Sequence, residues 1–244
     1  MNINVIYNGD CLELMPRLVE DKSIDMIFAD LPYGTTKCKW DSVIDLPKLW
    51  SEYERVIKDN GVILLFAQSP FDKVLGASNL KLLKYEWIWE KTQATGHLNA
   101  KKMPMKAHEN ILVFYKKLPT YNPQKTNGHK PINSYTKYIK TQNNTELYGE
   151  MKREISGGGE TDRYPRSVIT FASDKQKSCL HPTQKPLSLV EYMIKTYTNP
   201  FDLVLDNTCG SGTTGVAAKK LNRQFILMEK DYEIFKTARK RIAG

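Results

Sequence analysis

Val204-Leu205-Asp206-Asn207-Thr208-Cys209-Gly210-Ser211-Gly212-Thr213-Thr214-Gly215 is the stretch from which the fold can be read. An apolar run ends in a carboxylate, passes through a turn punctuated by glycines and enters a helix-like segment near Thr213. Gly210 and Gly212 permit positive φ and let a ligand approach the backbone, and a helix starting just after them presents free N–H donors. A second apolar run, Gln224 to Met228, is followed by Glu229, an acid placed to accept hydrogen bonds from ribose hydroxyls. Strand, glycine turn, helix, strand and acid in that order point to an adenosine-containing cofactor. The glycine pair alone would describe a structural turn equally well.

Outward from this stretch, short apolar runs alternate with segments whose apolar positions recur every three or four residues. Runs at Ile3–Tyr7, Ile24–Ala29, Val62–Ala67, Tyr85–Trp89, Ile111–Tyr115 and Val168–Phe171 predict strands. Segments at Cys11–Val19, Leu46–Lys58, Leu187–Tyr197, Thr213–Leu221 and Asp231–Ile242 predict helices. This alternation predicts an α/β fold with a mainly parallel sheet, whose ligands sit at the carboxyl ends of strands, in the loops after Ala29 and Leu205. The stretch from Lys116 to Tyr164 differs: Pro119, Pro123, Pro131 and Gly157-Gly158-Gly159 punctuate it without sustained periodicity. It reads as a segment inserted into a single domain spanning 1–244.

Composition narrows the function classes. With 244 residues and 41% hydrophobic content the chain can bury a large core, which excludes a disordered protein. The longest apolar run, Val62 to Ala67, is far short of the roughly 20 residues that span a bilayer, so neither a membrane nor a secretory route is expected. Cys11, Cys38, Cys179 and Cys209 have no metal-ligand spacing; no metal is expected, and a reducing cytoplasm suits them. The formal net charge is +9, and residues 84–153, with 13 basic and 5 acidic residues, carry +8 of it. Lysines interleaved with Tyr115, Tyr121, Tyr135, Tyr138 and Tyr148 suit a polyanion-binding surface, and a solvated loop region has the same composition.

A second run, Ile24-Asp25-Met26-Ile27-Phe28-Ala29-Asp30-Leu31-Pro32-Tyr33, ends a buried strand in a carboxylate, a rigid proline and an aromatic ring. Asp30 and the Leu31 carbonyl can accept from the amino group of a flat heterocycle while Tyr33 stacks on it. By itself the tetrapeptide also fits an ordinary strand-ending turn.

Together these residues resemble a known family. Asp30-Leu31-Pro32-Tyr33 is similar to the D-P-P-Y catalytic motif of DNA amino-methyltransferases, and Asp206 to Gly212 is similar to their D-P-F-x-G-S-G cofactor motif. His181-Pro182-Thr183-Gln184-Lys185-Pro186 matches a segment that precedes the cofactor motif in the beta class, and the order of the three motifs is that of this class. The resemblance covers almost the whole chain. It implies a Rossmann-like methyltransferase fold, a mostly parallel twisted sheet with helices on both faces, plus an irregular target-recognition segment at 116–164.

It further implies transfer of a methyl group from S-adenosylmethionine to an exocyclic base nitrogen in double-stranded DNA, with the target base flipped out. Asp30, Leu31, Pro32 and Tyr33 would be catalytic. Asp206, Thr208, Gly210, Ser211, Gly212 and Thr213 would line the cofactor site, Glu229 would bind the ribose, and Lys185 would approach the methionine carboxylate. Asp10 and Cys11 match the position near the cofactor adenine, and Asp10 reads equally as a helix N-cap. A homodimer and a bacterial or phage-type cytoplasmic setting follow from the same resemblance. Asp at the start of the tetrapeptide is more typical of adenine-N6 enzymes than of cytosine-N4 enzymes; methylation of RNA or a small molecule, or a DNA-binding relic, are the other readings. Two departures stand out: Leu31 replaces a proline, and Asn207-Thr208 replaces Pro-Phe, removing an aromatic for which Phe66 or Tyr7 can compensate. Trp40 and Trp50 are expected in core or loop packing.

Overall fold

The computed structural model describes residues 1–34, 44–132, 158–173 and 184–244, with the backbone of 135–139 and 154–157. Cys38, Trp40, Tyr148, Cys179 and the His181-Pro182-Thr183 part of the family segment lie outside the described residues. Contacts divide the chain into two compact units, Met1–Asn122 with Arg166–Gly244, and Pro123–Pro165.

The larger unit begins with β1 (Val5–Asn8), α1 (Cys11–Leu18), β2 (Ile24–Asp30), α2 (Leu46–Val56), β3 (Ile57–Ala67), α3 (Phe71–Ser78), β4 (Leu83–Thr95) and β5 (Lys106–Phe114). The smaller unit contributes the antiparallel pair β6 (Tyr135–Ile139) and β7 (Glu154–Gly157). The larger unit resumes with β8 (Val168–Phe171), α4 (Leu187–Tyr197), β9 (Leu203–Asp206), α5 (Thr213–Lys220), β10 (Gln224–Glu229) and α6 (Tyr232–Ala243). Among the described residues its eight strands form one sheet in the order β1-β10-β9-β2-β3-β5-β4-β8. The expected parallel pairing holds from β1 to β3 and between β4 and β8, while β5 runs antiparallel to both β3 and β4.

The central strands are buried on both faces, so they read as continuous apolar runs, but their side chains still alternate. Ile27 and Ala29 of β2, with Ile63 and Leu65 of β3, pack against Met15 of α1, Leu49 and Tyr53 of α2, and Leu75 of α3. Met26 and Phe28, with Val62 and Leu64, face Leu189, Met193 and Ile194 of α4 and Ala217 of α5. Each Val, Leu, Ile, Phe or Met side chain so withdrawn from water contributes about 1.5–3 kcal/mol, and this two-sided burial fixes the register of β2. Trp50 is in the first core layer and donates from Nε1 to Ser78 at 2.7 Å.

Three features differ from the periodicity reading. β3 starts at Ile57, because Ile57 pairs with Ile24 before the polar Lys58–Gly61 stretch bulges and pairing resumes at Val62 with Met26. α3 was not expected, its eight residues being too few for a sustained period. β6 and β7 lie in the stretch that showed no periodicity.

α5 lies against β10 at Gly215, where a Cβ would come within 2.6 Å of Leu227 Cδ1 and 3.1 Å of Ile242 Cδ1. Gly215→Val should therefore overpack this contact and lower unfolding stability by about 1–3 kcal/mol, measured by chemical denaturation. A change within about 0.5 kcal/mol would show that the helix shifts freely.

Candidate active site

Adjacent parallel strands bring the two decisive sequence runs together. β2 and β9 pair with Met26 opposite Val204 and Ile27 opposite Leu205, so Asp206 and Asp30 both emerge at the carboxyl edge of the sheet, with Asp30 further along, level with Thr208. The contact is direct: Thr208 Oγ1 donates to the Asp30 carbonyl at 3.1 Å, across 178 residues of sequence. Asn207, the residue beside Thr208 in the same departure from the family pattern, accepts from Tyr53 Oη at 2.6 Å in the buried core. Hydrogen bonds thus occupy the place of the absent Pro-Phe.

Asp206 shapes the glycine turn. Its carboxylate accepts from Thr208 N at 3.1 Å and from the Thr214 hydroxyl at 2.6 Å. Burial pushes its carboxyl up to about 7, although those two donors favour the anion, and the carboxylates of Asp30 and Glu229 add to the rise. Glu229 receives Gly210 N at 2.9 Å and Asp231 N at 2.8 Å, one on each oxygen, which leaves lone pairs on both for a ligand. Burial raises this carboxyl too. Arg241 of α6 braces the turn from outside through Ser211 O at 3.2 Å and Thr213 Oγ1 at 2.8 Å.

Asp10 caps α1, accepting from Leu12 N at 2.9 Å, and pairs with Lys230 at 2.9 Å. The capping geometry is therefore present, and the residue also lines the cavity described next.

A cavity of about 900 Å³ opens at this edge of the sheet. Asp10, Cys11, Asp30, Leu31, Pro32, Tyr33, Lys185, Asp206, Thr208, Gly210, Ser211, Thr213 and Glu229 all line it. Gly212 does not: it has φ +76°, and a Cβ there would come within 3.0 Å of Ile242 Cδ1 and 3.2 Å of Ala238 Cβ, so it serves the approach of α6. A Cβ on Gly210, by contrast, meets no atom within 4 Å, and that stretch of backbone is bare. Phe66 is on the cavity wall; Tyr7 is not among the lining residues. Burial raises the thiols of Cys11 and Cys209, which keeps both protonated and unsuited to nucleophilic chemistry.

At the Asp30 end the carboxylate is held on both sides. Tyr33 Oη donates to Oδ1 at 2.7 Å, and Lys185 Nζ lies 2.7 Å from Oδ2. The Tyr33 ring packs on Phe71 with centroids 5.1 Å apart. Lys185, expected at the methionine carboxylate, has its ammonium between Asp30 and Glu109, 3.0 Å from the latter, and 4.8 Å from the Phe66 ring centroid. Its neighbour Gln184 accepts from the Ser211 hydroxyl at 3.5 Å, so this short segment touches both motifs. Burial opposes the Lys185 charge, but Asp30 and Glu109 hold its proton above the ordinary lysine range.

Glu109 and Lys91 were not anticipated. Lys91 pairs with Glu109 at 2.5 Å. Burial pushes the Glu109 carboxyl up, and the Lys185 and Lys91 ammonium groups outweigh it to hold it at about 2. The available signal was a carboxylate heading the apolar run Ile111–Phe114 on a buried strand, a position where an acid needs a partner.

The model of the N6/N4 DNA methylases matches residues 24–240. The Type II methyltransferase M1.MboII of Moraxella bovis is 31% identical, over 93% of this chain and 91% of its own length. The DNA adenine methyltransferase YhdJ of Escherichia coli (strain K12) is 29% identical over 97% of this chain and 82% of its own. Among solved structures, the M1.HpyAVI–SAM complex superposes with a TM-score of 0.64 at 25% identity, covering 97% of this chain and 98% of that one.

Proposed function

This chain belongs to the N6/N4 DNA methylase family, and from that premise we propose that it methylates the exocyclic N6 of adenine in duplex DNA, using S-adenosylmethionine. The observation that carries the reading is that Asp30, held by Lys185 and Tyr33, lines one cavity together with Asp206, Gly210 and Glu229 around the glycine turn.

The wall fits the cofactor. Glu229 keeps free lone pairs for ribose hydroxyls, Asp206 offers a buried anion to an ammonium, and the bare Gly210 backbone admits close approach. Bound there, S-adenosylmethionine supplies a methyl group on a sulfonium: the amine lone pair forms the N–C bond, the C–S electrons return to sulfur as a neutral thioether, and the positive charge passes to nitrogen. An aromatic amine is a poor nucleophile because its lone pair is delocalised into the ring. Asp30, as acceptor of an N–H, favours the pyramidal nitrogen, stabilises its growing charge and takes up the proton that leaves. Flipping the base costs a few kcal/mol, offset by stacking on Tyr33 and by phosphate contacts.

Asp at position 30 favours adenine over cytosine, and the adenine enzyme among the relatives supports that choice. Target recognition falls to the 116–164 segment, most of which is the smaller unit. Within that unit Lys125 pairs with Asp162 at 2.8 Å and lies 4.3 Å from the ring centroid of exposed Tyr164, a cation and an aromatic face on one surface.

The test is to incubate the protein with duplex DNA and methyl-labelled S-adenosylmethionine, then digest to nucleosides. N6-methyldeoxyadenosine is expected; label found only in N4-methyldeoxycytidine would overturn the choice of base.

A further inference from the structure

A buried row of alternating charges runs along the cavity wall to Asp30. Lys91 lies 2.5 Å from Glu109 Oε1, Glu109 Oε2 lies 3.0 Å from Lys185, and Lys185 lies 2.7 Å from Asp30 Oδ2. The Lys91, Glu109 and Lys185 side chains are 8%, 6% and 11% exposed, so water screens them little. Two cations and two anions make the row neutral. Were Glu109 uncharged, the same row would carry +1 beside the point where a sulfonium binds and a nitrogen becomes cationic. The Trp89 ring, 5.2 Å from Lys91, and the Phe66 ring near Lys185 supply no compensating unit charge.

We propose that Glu109 is a positioning residue for methyl transfer: it cancels the charge of Lys91 and holds Lys185 on Asp30, so that the acceptor end of the cavity carries no excess positive charge. This rests on the methyltransferase reading. Its distinctive consequence is sensitivity to net charge: a residue needed only for packing would be missed for its shape, and removing its partner as well would make matters worse.

The experiment compares Glu109→Gln, Lys91→Met and the double variant. Calorimetry measures the affinity of each for S-adenosylmethionine, a sulfonium, and for its neutral thioether product; single-turnover assays on duplex DNA measure the rate. Glu109→Gln should lower the rate by ~10–100-fold and shift the sulfonium-to-thioether affinity ratio down several-fold. Lys91→Met, which leaves the row at −1, should shift that ratio up. The double variant, neutral again, should recover most of the ratio and at least ~10-fold of the rate lost in Glu109→Gln. Glu109→Asp should stay within a few-fold of wild type in both readouts.

An unchanged affinity ratio in both single variants, or a double variant slower than Glu109→Gln, would overturn the proposal. If Glu109→Gln does not fold, the upward shift in Lys91→Met decides. If the wild-type chain transfers no methyl group to DNA, the functional reading fails, while the affinity ratio still reports whether the charge is balanced.

Discussion

Asp30→Asn should reduce single-turnover methyl transfer to duplex DNA by ~10²–10³-fold while lowering the affinity for S-adenosylmethionine only several-fold and leaving that for its neutral thioether product within about threefold. Asparagine keeps the volume of the side chain and one acceptor oxygen, so the change removes charge more than shape. It removes the anion that receives Tyr33 at 2.7 Å and Lys185 at 2.7 Å, and that faces the amine as positive charge grows there. Lys185 retains Glu109 at 3.0 Å, which limits collapse of the wall. The cofactor turn keeps its own supports, Asp206 with Thr208 and Thr214, and Glu229 with Gly210. Thr208 also keeps its acceptor, because it bonds to the Asp30 carbonyl and not to the side chain. Loss of rate far in excess of the loss in cofactor binding is the signature of an interaction made in the transition state. A rate within tenfold of wild type would remove Asp30 from the chemistry; equal background transfer by both proteins, with DNA binding intact, would identify a binding relic.

Between pH 5 and 7 the affinity for S-adenosylmethionine should rise by up to about tenfold per pH unit, and Asp206→Asn should abolish this slope. Burial holds the Asp206 carboxyl at about 7 in the folded protein against an ordinary value of 3.8. A carboxyl raised in this way favours folding in its protonated form, so its contribution is complete below pH 3.8 and is lost as pH rises through about 7. A cationic ligand binds the ionised form, and below pH 7 it must expel the proton first. Calorimetry in buffers of different ionisation enthalpy should therefore show proton release on binding at pH 6 and little at pH 8. A flat affinity profile in the wild type would mean that Asp206 does not face the cofactor's cation.

Much of this architecture was legible because it is written in local patterns. Nearly continuous apolar runs such as Ile24–Ala29 and Val62–Ala67 suit short central strands buried on both faces, and Gly210 has φ +51° at the turn where the sequence asked for it. Asp30, Asp206 and Glu229 each end a strand, so a parallel sheet gathers them at one edge without further information. The bulge at Lys58–Gly61 was not legible, because its pairing depends on Ile24, a partner on another strand.

The sequence by itself determined the strand-turn-helix units, the acids that end the strands and the glycine turn, since each rests on backbone geometry and burial within a few consecutive residues. Only the tertiary structure decided the company Asp30 keeps. β5 lies antiparallel between β3 and β4 with Glu109 opposite Trp89, and that register delivers Glu109 to Lys91 on one strand and to Lys185 on a distant loop. A buried charge is tolerated where its opposite is within about 4 Å, and no spacing along the chain records which distant residue that is.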